Sequence, residues 1–416
     1  MKQDYNTEAT SERHRFTTSE TDLVVAWLLP IFYLLVIFSE PLLAAIRVLS
    51  GSGRDLSILV LHIPLALVSL LAILRCFSGH NGWHVGKLGW LLVLFWYMVL
   101  FRMVWDLWFA GIETAWTPEK FSWMVIVYTI IPMLAASAVA NRSMLIRIHK
   151  TLLVFALALC PITLFITLGG GRADTQFRLQ SDLFNSIAVG HFGTTCFLLG
   201  LVSIYAGTLK WRWRTIGAAL MVFGTILTAL AAARGPILAL AIVSLLWLGL
   251  NITKRRNRFI TFISVFIGLG LFGAFSARVE EQTLYRPLSR FEVPDGSSQS
   301  ESEARIYLIE SAWNVFLEHP VFGGSLVEPI SRSYPHNAIV ESLMAVGSVG
   351  TIALVLIFVQ WIAAAVKGMH NQHEFAWLSV IFLQYILGSM FSGSIIVNAK
   401  VWALGIGMYS ISRRLR

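Results

Sequence analysis

The chain has 416 residues, 56% of them hydrophobic and 13% charged, with a formal net charge of +9 and a mean hydropathy of +0.70. Its apolar residues fall mostly in blocks of about 17 to 25, the length that spans roughly 30 Å of hydrocarbon, and such blocks are about twice too long for barrel strands, which leaves a polytopic helical membrane protein. More than half of the Lys and Arg lie in segments placed inside, such as Lys210-Trp211-Arg212-Trp213-Arg214 and Lys254-Arg255-Arg256-Asn257-Arg258, so the positive charge sets topology and contacts headgroups rather than marking a nucleic-acid partner.

In chain order, residues 1–21 are polar and form a cytoplasmic tail. The first apolar stretch continues past Pro30 without a small-residue cleavage site, so it is expected to stay attached as an anchor. Spans are predicted at 22–38, 56–74, 88–105, 121–139, 151–168, 188–209, 215–232, 236–252, 260–277, 338–362, 375–391 and 398–411. The expected fold is therefore an all-α polytopic membrane protein of about 12 transmembrane helices with one large, partly helical periplasmic loop. A membrane domain runs over 22–277, the loop or lid over 278–337 and the rest of the membrane domain over 338–411. An even number of spans returns the tail at 412–416, with Arg413, Arg414 and Arg416, to the cytoplasm with the N-terminus. After Glu40-Pro41 the chain stays largely apolar as far as Ser50, interrupted by Arg47, which reads as a re-entrant or interfacial piece. Cys76, Cys160 and Cys196 lie in or beside apolar segments, so they read as packing residues rather than a disulfide framework or a thiolate metal site.

Three outer regions are more polar than connectors need to be: 106–120, 169–187 and 278–337. In the long loop, Glu303 to Glu318 has helical spacing with Ile306, Leu308, Ile309, Trp313, Phe316 and Leu317 available for packing, and His319-Pro320 ends it. That much apolar surface argues for a folded lid rather than a disordered linker.

Arg234 sits in Ala231-Ala232-Ala233-Arg234-Gly235-Pro236, between two spans with almost no loop. A guanidinium held at the hydrocarbon boundary is costly unless paired or hydrated, which makes function the leading reading over snorkelling to headgroups. Arg178 precedes the next span and Arg305 opens the loop helix. Together such arginines suit the bidentate donors a diphosphate needs, with Arg286 and Arg290 as competitors in the same loop. His336, in Tyr334-Pro335-His336-Asn337, stands where the loop re-enters the bilayer, with a reference pKa suited to general base work. Asn337 and Glu341 are placed to orient it, although Asn337 also reads as a plain helix cap. His319 reads as a helix end and His191 as a polar span start. The chain has no GxxxxGK[ST] loop, Rossmann glycine fingerprint or HExxH helix. The outer face lacks a clear Asp-x-Asp pair, so no metal site and no cofactor are expected.

With these residues in view, the chain resembles the O-antigen ligase and polymerase superfamily of bacterial envelope proteins. The likeness rests on Ala232-Ala233-Arg234-Gly235-Pro236, the Arg305 helix ending at His319-Pro320 with Gly323-Gly324 after it, and Pro335-His336-Asn337-Ala338 to Glu341 with Gly347 and Gly350. The resemblance implies a metal-independent glycosyltransferase of the bacterial inner membrane. It takes a glycan from undecaprenyl diphosphate and passes it on the periplasmic side to lipid A-core, as a ligase, or to another lipid-linked repeat, as a polymerase. It further implies that Arg178, Arg234 and Arg305 bind the diphosphate and that His336 is the catalytic histidine. At 178–186 the chain lacks the glycine and Pro-Asn pair of many relatives. A transporter or flippase is the rival of another class, weakened by the lack of a visible repeat between the two halves and by few ionisable residues in span centres.

Overall fold

The computed structural model describes residues 20–50, 54–78, 86, 88–137, 142–169, 172–173, 179–180, 185–205, 209–231, 233–251, 297–329, 331–371 and 374–414. Among the described residues the architecture is all-α apart from one antiparallel pair of two-residue strands, β1 (Arg172–Ala173) and β2 (Leu179–Gln180). In chain order the helices are α1 (Glu20–Ile37), α2 (Ser39–Ser50), α3 (Arg54–Ser78), α4 (Leu88–Val104, running on through a wide π turn at Trp105–Phe109), α5 (Pro118–Trp123) and α6 (Ile131–Ala136), the last two joined through a π stretch. Then come α7 (Arg142–Gly169), α8 (Ser186–Tyr205), α9 (Trp211–Ala231), α10 (Arg234–Asn251), α11 (Ser297–Glu318), α12 (Ala338–Asn371), α13 (Ala376–Phe391) and α14 (Ala399–Arg414).

The expected twelve spans are not what the chain forms. Among the described residues seven helices are long and apolar enough to cross a bilayer, or eight if the bent pair α1–α2 is one span. The stretch read as 22–38 ends at Ile37, and the chain turns by 82° before Ser39-Glu40-Pro41 starts α2. The stretch read as 56–74 lies within the 25-residue α3, where Val60–Leu74 forms a shorter apolar helix, and 375–391 becomes the 16-residue α13. The last stretch forms α14, also 16 residues, with Lys400 in its first turn and Arg413 and Arg414 in its last. Sixteen residues reach only about 24 Å at 1.5 Å per residue, short of a hydrocarbon core of roughly 30 Å. An apolar run looks the same in sequence whether its backbone goes straight through, bends away or stops short. The run at 260–277 lies outside the described residues.

Large apolar side chains point outward on these helices, among them Leu67, Tyr97, Phe101, Phe165 and Val359, as a lipid-facing surface requires. Inside, Trp361, Trp402 and Phe95 pack edge-on and stacked where α4, α12 and α14 meet. Helices α8 and α9 approach backbone to backbone along Gly193 and Gly200 on one and Gly217 and Gly224 on the other. A Cβ at Gly200 would sit 2.2 Å from the Gly217 carbonyl oxygen, so only glycine permits the seam.

The feature that positions the site is a break in α12. Gly347 has φ 64° and ψ −164°, a conformation open essentially to glycine alone, and it divides Ala338–Val346 from the long remainder. In an unbroken helix the N–H groups of Ser348 and Val349 would donate to Met344 and Ala345. Here they donate to Pro320 and Val321 of the loop, at 2.8 and 3.3 Å, while the Met344 carbonyl accepts from Gly324 and Ser325 at 2.9 and 3.3 Å. The loop thus completes the backbone pairing that the break leaves open, and Thr351 donates to Ser342 across it at 2.9 Å. From α4, Arg102 donates to the carbonyls of Phe322, Gly323 and Gly324 and pairs with Asp106, whose other oxygen accepts from Leu326 N–H at 2.6 Å.

Candidate functional site

The face of the molecule that carries the loop gathers the chemistry-bearing residues described. Asn337 caps α12: its Oδ1 accepts from the N–H groups of Ile339 and Val340, each at 3.1 Å, as the plain reading of Pro-His-Asn expects. Its amide also donates to the Met390 carbonyl at 3.1 Å. Glu341, buried one turn into α12, turns both carboxylate oxygens to the connection between α13 and α14, accepting from Ser394 Oγ and, at 2.7 Å, from Ile395 N–H. These two side chains therefore fix the backbone beside His336 to the end of α13, rather than touching the imidazole.

His336 has φ 58°, a strained left-handed conformation for a residue with a Cβ. Strain of that kind persists where the surroundings hold it, and here the cap on one side and Tyr334 on the other do so. The Tyr334 and His336 rings meet edge to face, 4.7 Å between centres. The imidazole is half-buried and its Nδ1 has no hydrogen-bond partner among the described residues. Burial holds the His336 pKa below its usual 6.5, and the positive charge of Arg305 pushes the same way. At neutral pH the ring is uncharged, with a nitrogen free to accept a proton. Burial pushes the Tyr334 phenol up, as do the carboxylates of Glu341 and Glu40, so it stays protonated.

Arg234 projects, exposed, from the first turn of α10 and makes no ion pair or hydrogen bond with the described residues. The open N–H groups and dipole of a helix start favour an anion at the same place. Its neighbour Gly235 abuts Phe391, since a Cβ there would lie 3.6 Å from Phe391 Cβ. Asn337 holds Met390 and Gly235 touches Phe391, so the His336 segment and the Arg234 helix start meet at one end of α13. Arg305, in α11, is near enough for its charge to act on His336. Arg178, Arg286 and Arg290 lie outside the described residues. His319 is exposed at the end of α11 and its ring packs on Gly324, in keeping with a helix-end role.

Beside Tyr334 a small cavity of about 10 Å³ lies between Thr114, Trp116 and Phe121 on one side and Arg332, Ser333 and Tyr334 on the other, with Glu341 and Ser394 in its lining. An ion pair of 2.5 Å between Arg332 and Glu113, and a hydrogen bond from Ala115 N–H to the Arg332 carbonyl, close one end of it.

Neither Arg102 nor Lys400 is singled out by the sequence, and Asp106 and Glu40 enter it only as members of the polar region 106–120 and of Glu40-Pro41. The signal was present: Arg102 and Asp106 stand four apart at a span end, and Lys400 is a charge inside a stretch otherwise read as a span.

Seven or eight long apolar helices, a broken span completed by a loop, and the Arg234 and His336 segments at one helix end define a polytopic helical membrane protein. Residues 219–355, from within α9 into α12, match the family model described as O-antigen ligase. No curated protein matches the chain.

Proposed function

We propose that the protein is an O-antigen ligase that transfers a glycan from undecaprenyl diphosphate to lipid A-core on the periplasmic side of the bacterial inner membrane, without a metal ion. On this reading the loop face is periplasmic and both termini are cytoplasmic. The family match supports a glycan-ligating enzyme. The observation that carries the residue roles is the meeting of the Arg234 helix start and the His336 segment on Met390 and Phe391.

In the proposed step an acceptor hydroxyl attacks the anomeric carbon as the bond from that carbon to the diphosphate oxygen breaks. The electron pair of the breaking bond stays on the phosphate, and Arg234, with Arg178 and Arg305, neutralises the growing negative charge. The hydroxyl proton passes to His336, which burial and Arg305 keep uncharged until then. Attack opposite the diphosphate inverts the anomeric centre. Asn337 and Glu341 act by fixing the backbone on either side of the reaction, as their contacts to Met390, Ser394 and Ile395 allow.

The test is transfer by purified protein from a defined undecaprenyl-diphosphate glycan, with lipid A-core and lipid-linked repeat in separate reactions. Product on lipid A-core, lost in both Arg234→Ala and His336→Ala while membrane insertion is kept, is the expected result. Elongated lipid-linked product alone would replace ligase with polymerase. Full activity in either variant would remove that residue from the mechanism.

A further inference from the structure

Near the site lies a buried cation that the transfer step does not use. Lys400, in the first turn of α14, pairs with Glu40 at the start of α2 at 3.4 Å, its own side chain 8% exposed. Its ammonium lies 5.0 Å from the centre of the Tyr385 ring and within hydrogen-bonding reach of that hydroxyl. Desolvating such a group offsets much of what the pair gains, and an apolar pair of similar size is often as stable. Stability alone therefore gives no reason for a lysine at this position.

The contacts beyond it run in one direction. The Tyr385 hydroxyl is 3.4 Å from Thr195 Oγ1, and Thr195 donates to Gln384 Oε1 at 3.1 Å. The Gln384 amide donates to the His191 carbonyl at 2.8 Å, and the His191 ring stacks on Tyr385 with 5.6 Å between centres. Gly388 leaves the space this ring fills, since a Cβ there would lie 2.6 Å from it. Helix α8 is in this way keyed to α13 and α14. One residue before Thr195, Thr194 donates to the Pro236 carbonyl at 3.2 Å, and Gly190 admits the Pro236 ring, which a Cβ would meet at 2.9 Å. Pro236 is two residues from Arg234 in the same helical turn.

We propose that Lys400, with Glu40 and Tyr385, is a positioning residue for Arg234: it registers α8 against α13 and α14, and α8 in turn fixes the first turn of α10 from which Arg234 projects. The inference rests on Arg234 binding the donor diphosphate. It assigns Lys400 no contact with substrate.

The experiment is a double-mutant cycle on full-length protein, read as kcat and KM for transfer from a defined undecaprenyl-diphosphate glycan. It combines Lys400→Met with Arg234→Lys, and adds the neutral pair Glu40→Gln/Lys400→Met as a folded control that leaves no unpaired charge. A displacement of the order of 1 Å can lower rates by roughly 10²-fold, so Lys400→Met and the neutral pair are each expected to lose about 10- to 100-fold in kcat/KM. In the Arg234→Lys background the same changes should cost less than about 3-fold, because residues acting through one group are not additive. The neutral pair should keep the wild-type melting temperature. Additive losses, or full transfer by the neutral pair, would reduce Lys400 and Glu40 to a packing contact. Full activity in Arg234→Lys would overturn the role of Arg234 and this inference with it. An impaired Arg234→Lys beside an unimpaired Lys400→Met would overturn this inference alone.

Discussion

Replacing Gly347 with alanine tests the claim that the loop and the broken span are one structural unit. The new Cβ would stand 2.4 Å from the Val321 carbonyl carbon and oxygen, main-chain atoms that cannot rotate away. The backbone at φ 64° would itself carry about 1 to 3 kcal/mol of strain. Pushing Val321 off also weakens the bonds from Ser348 to Pro320, Val349 to Val321, and Gly324 and Ser325 to Met344, each worth roughly 1 kcal/mol net. The combined cost, about 3 to 5 kcal/mol, lowers the docked population by at least roughly 10²-fold, since 1.4 kcal/mol is a factor of ten. Amide hydrogen exchange in nanodiscs reads this directly at Gly324, Ser325 and Ser348, and those amides should exchange at least about 100-fold faster while the helices α8 and α9 keep their protection. Gly249→Ala, at a position in α10 where an added Cβ meets nothing within 4 Å, serves as the silent control. Unchanged exchange and unchanged transfer in Gly347→Ala would refute the idea that the loop holds the break.

Removing the charge in Arg305→Gln takes away a cause that lowers the His336 pKa, so the acid limb of the kcat/KM profile should move to higher pH, toward 6.5; an unmoved limb would show that this arginine does not act on His336. The same sign governs stability. Because the folded pKa lies below the unfolded 6.5, the contribution of His336 is full above 6.5 and is lost as pH falls through the folded value, and Arg305→Gln should narrow that window in chemical denaturation. Arg102→Ala removes the donors to three loop carbonyls and leaves Asp106 buried without its cation, so it should destabilise the loop docking by about 2 to 4 kcal/mol and open 322–326 to limited proteolysis. Arg102→Lys should rescue it only in part, because a point charge cannot serve carbonyls spread around a fork.

Membrane character, the existence of a helical loop segment and the candidacy of Arg234 and of His336 could be approached from sequence because each leaves a local trace: an apolar block, a charge at a lipid boundary, a histidine at a re-entry point. The number of spans could not, because bending and shortening are tertiary outcomes. Whether α2 crosses or turns aside by 82° depends on what it packs against, and Glu40-Pro41 signals only that a turn is there. The apolar residues of the loop helix mislead in another way. Ala312 is buried, whereas Ile306, Trp313 and Leu317, expected to pack, remain exposed. Glu341 is expected from sequence to orient His336, but its partners are Ser394 and Ile395, more than fifty residues away, and nothing local names them. Lys400 is hidden for the opposite reason: one charge near the start of an apolar stretch does not keep 398–411 from reading as a span.

The break at Gly347 also dictates an order of assembly. Because the Ser348 and Val349 N–H groups and the Met344 carbonyl find their hydrogen-bond partners in residues 320–325, these backbone groups stay unsatisfied in lipid until that upstream segment has folded against them. Maturation of α12 therefore reports that the loop segment before it has folded against the break.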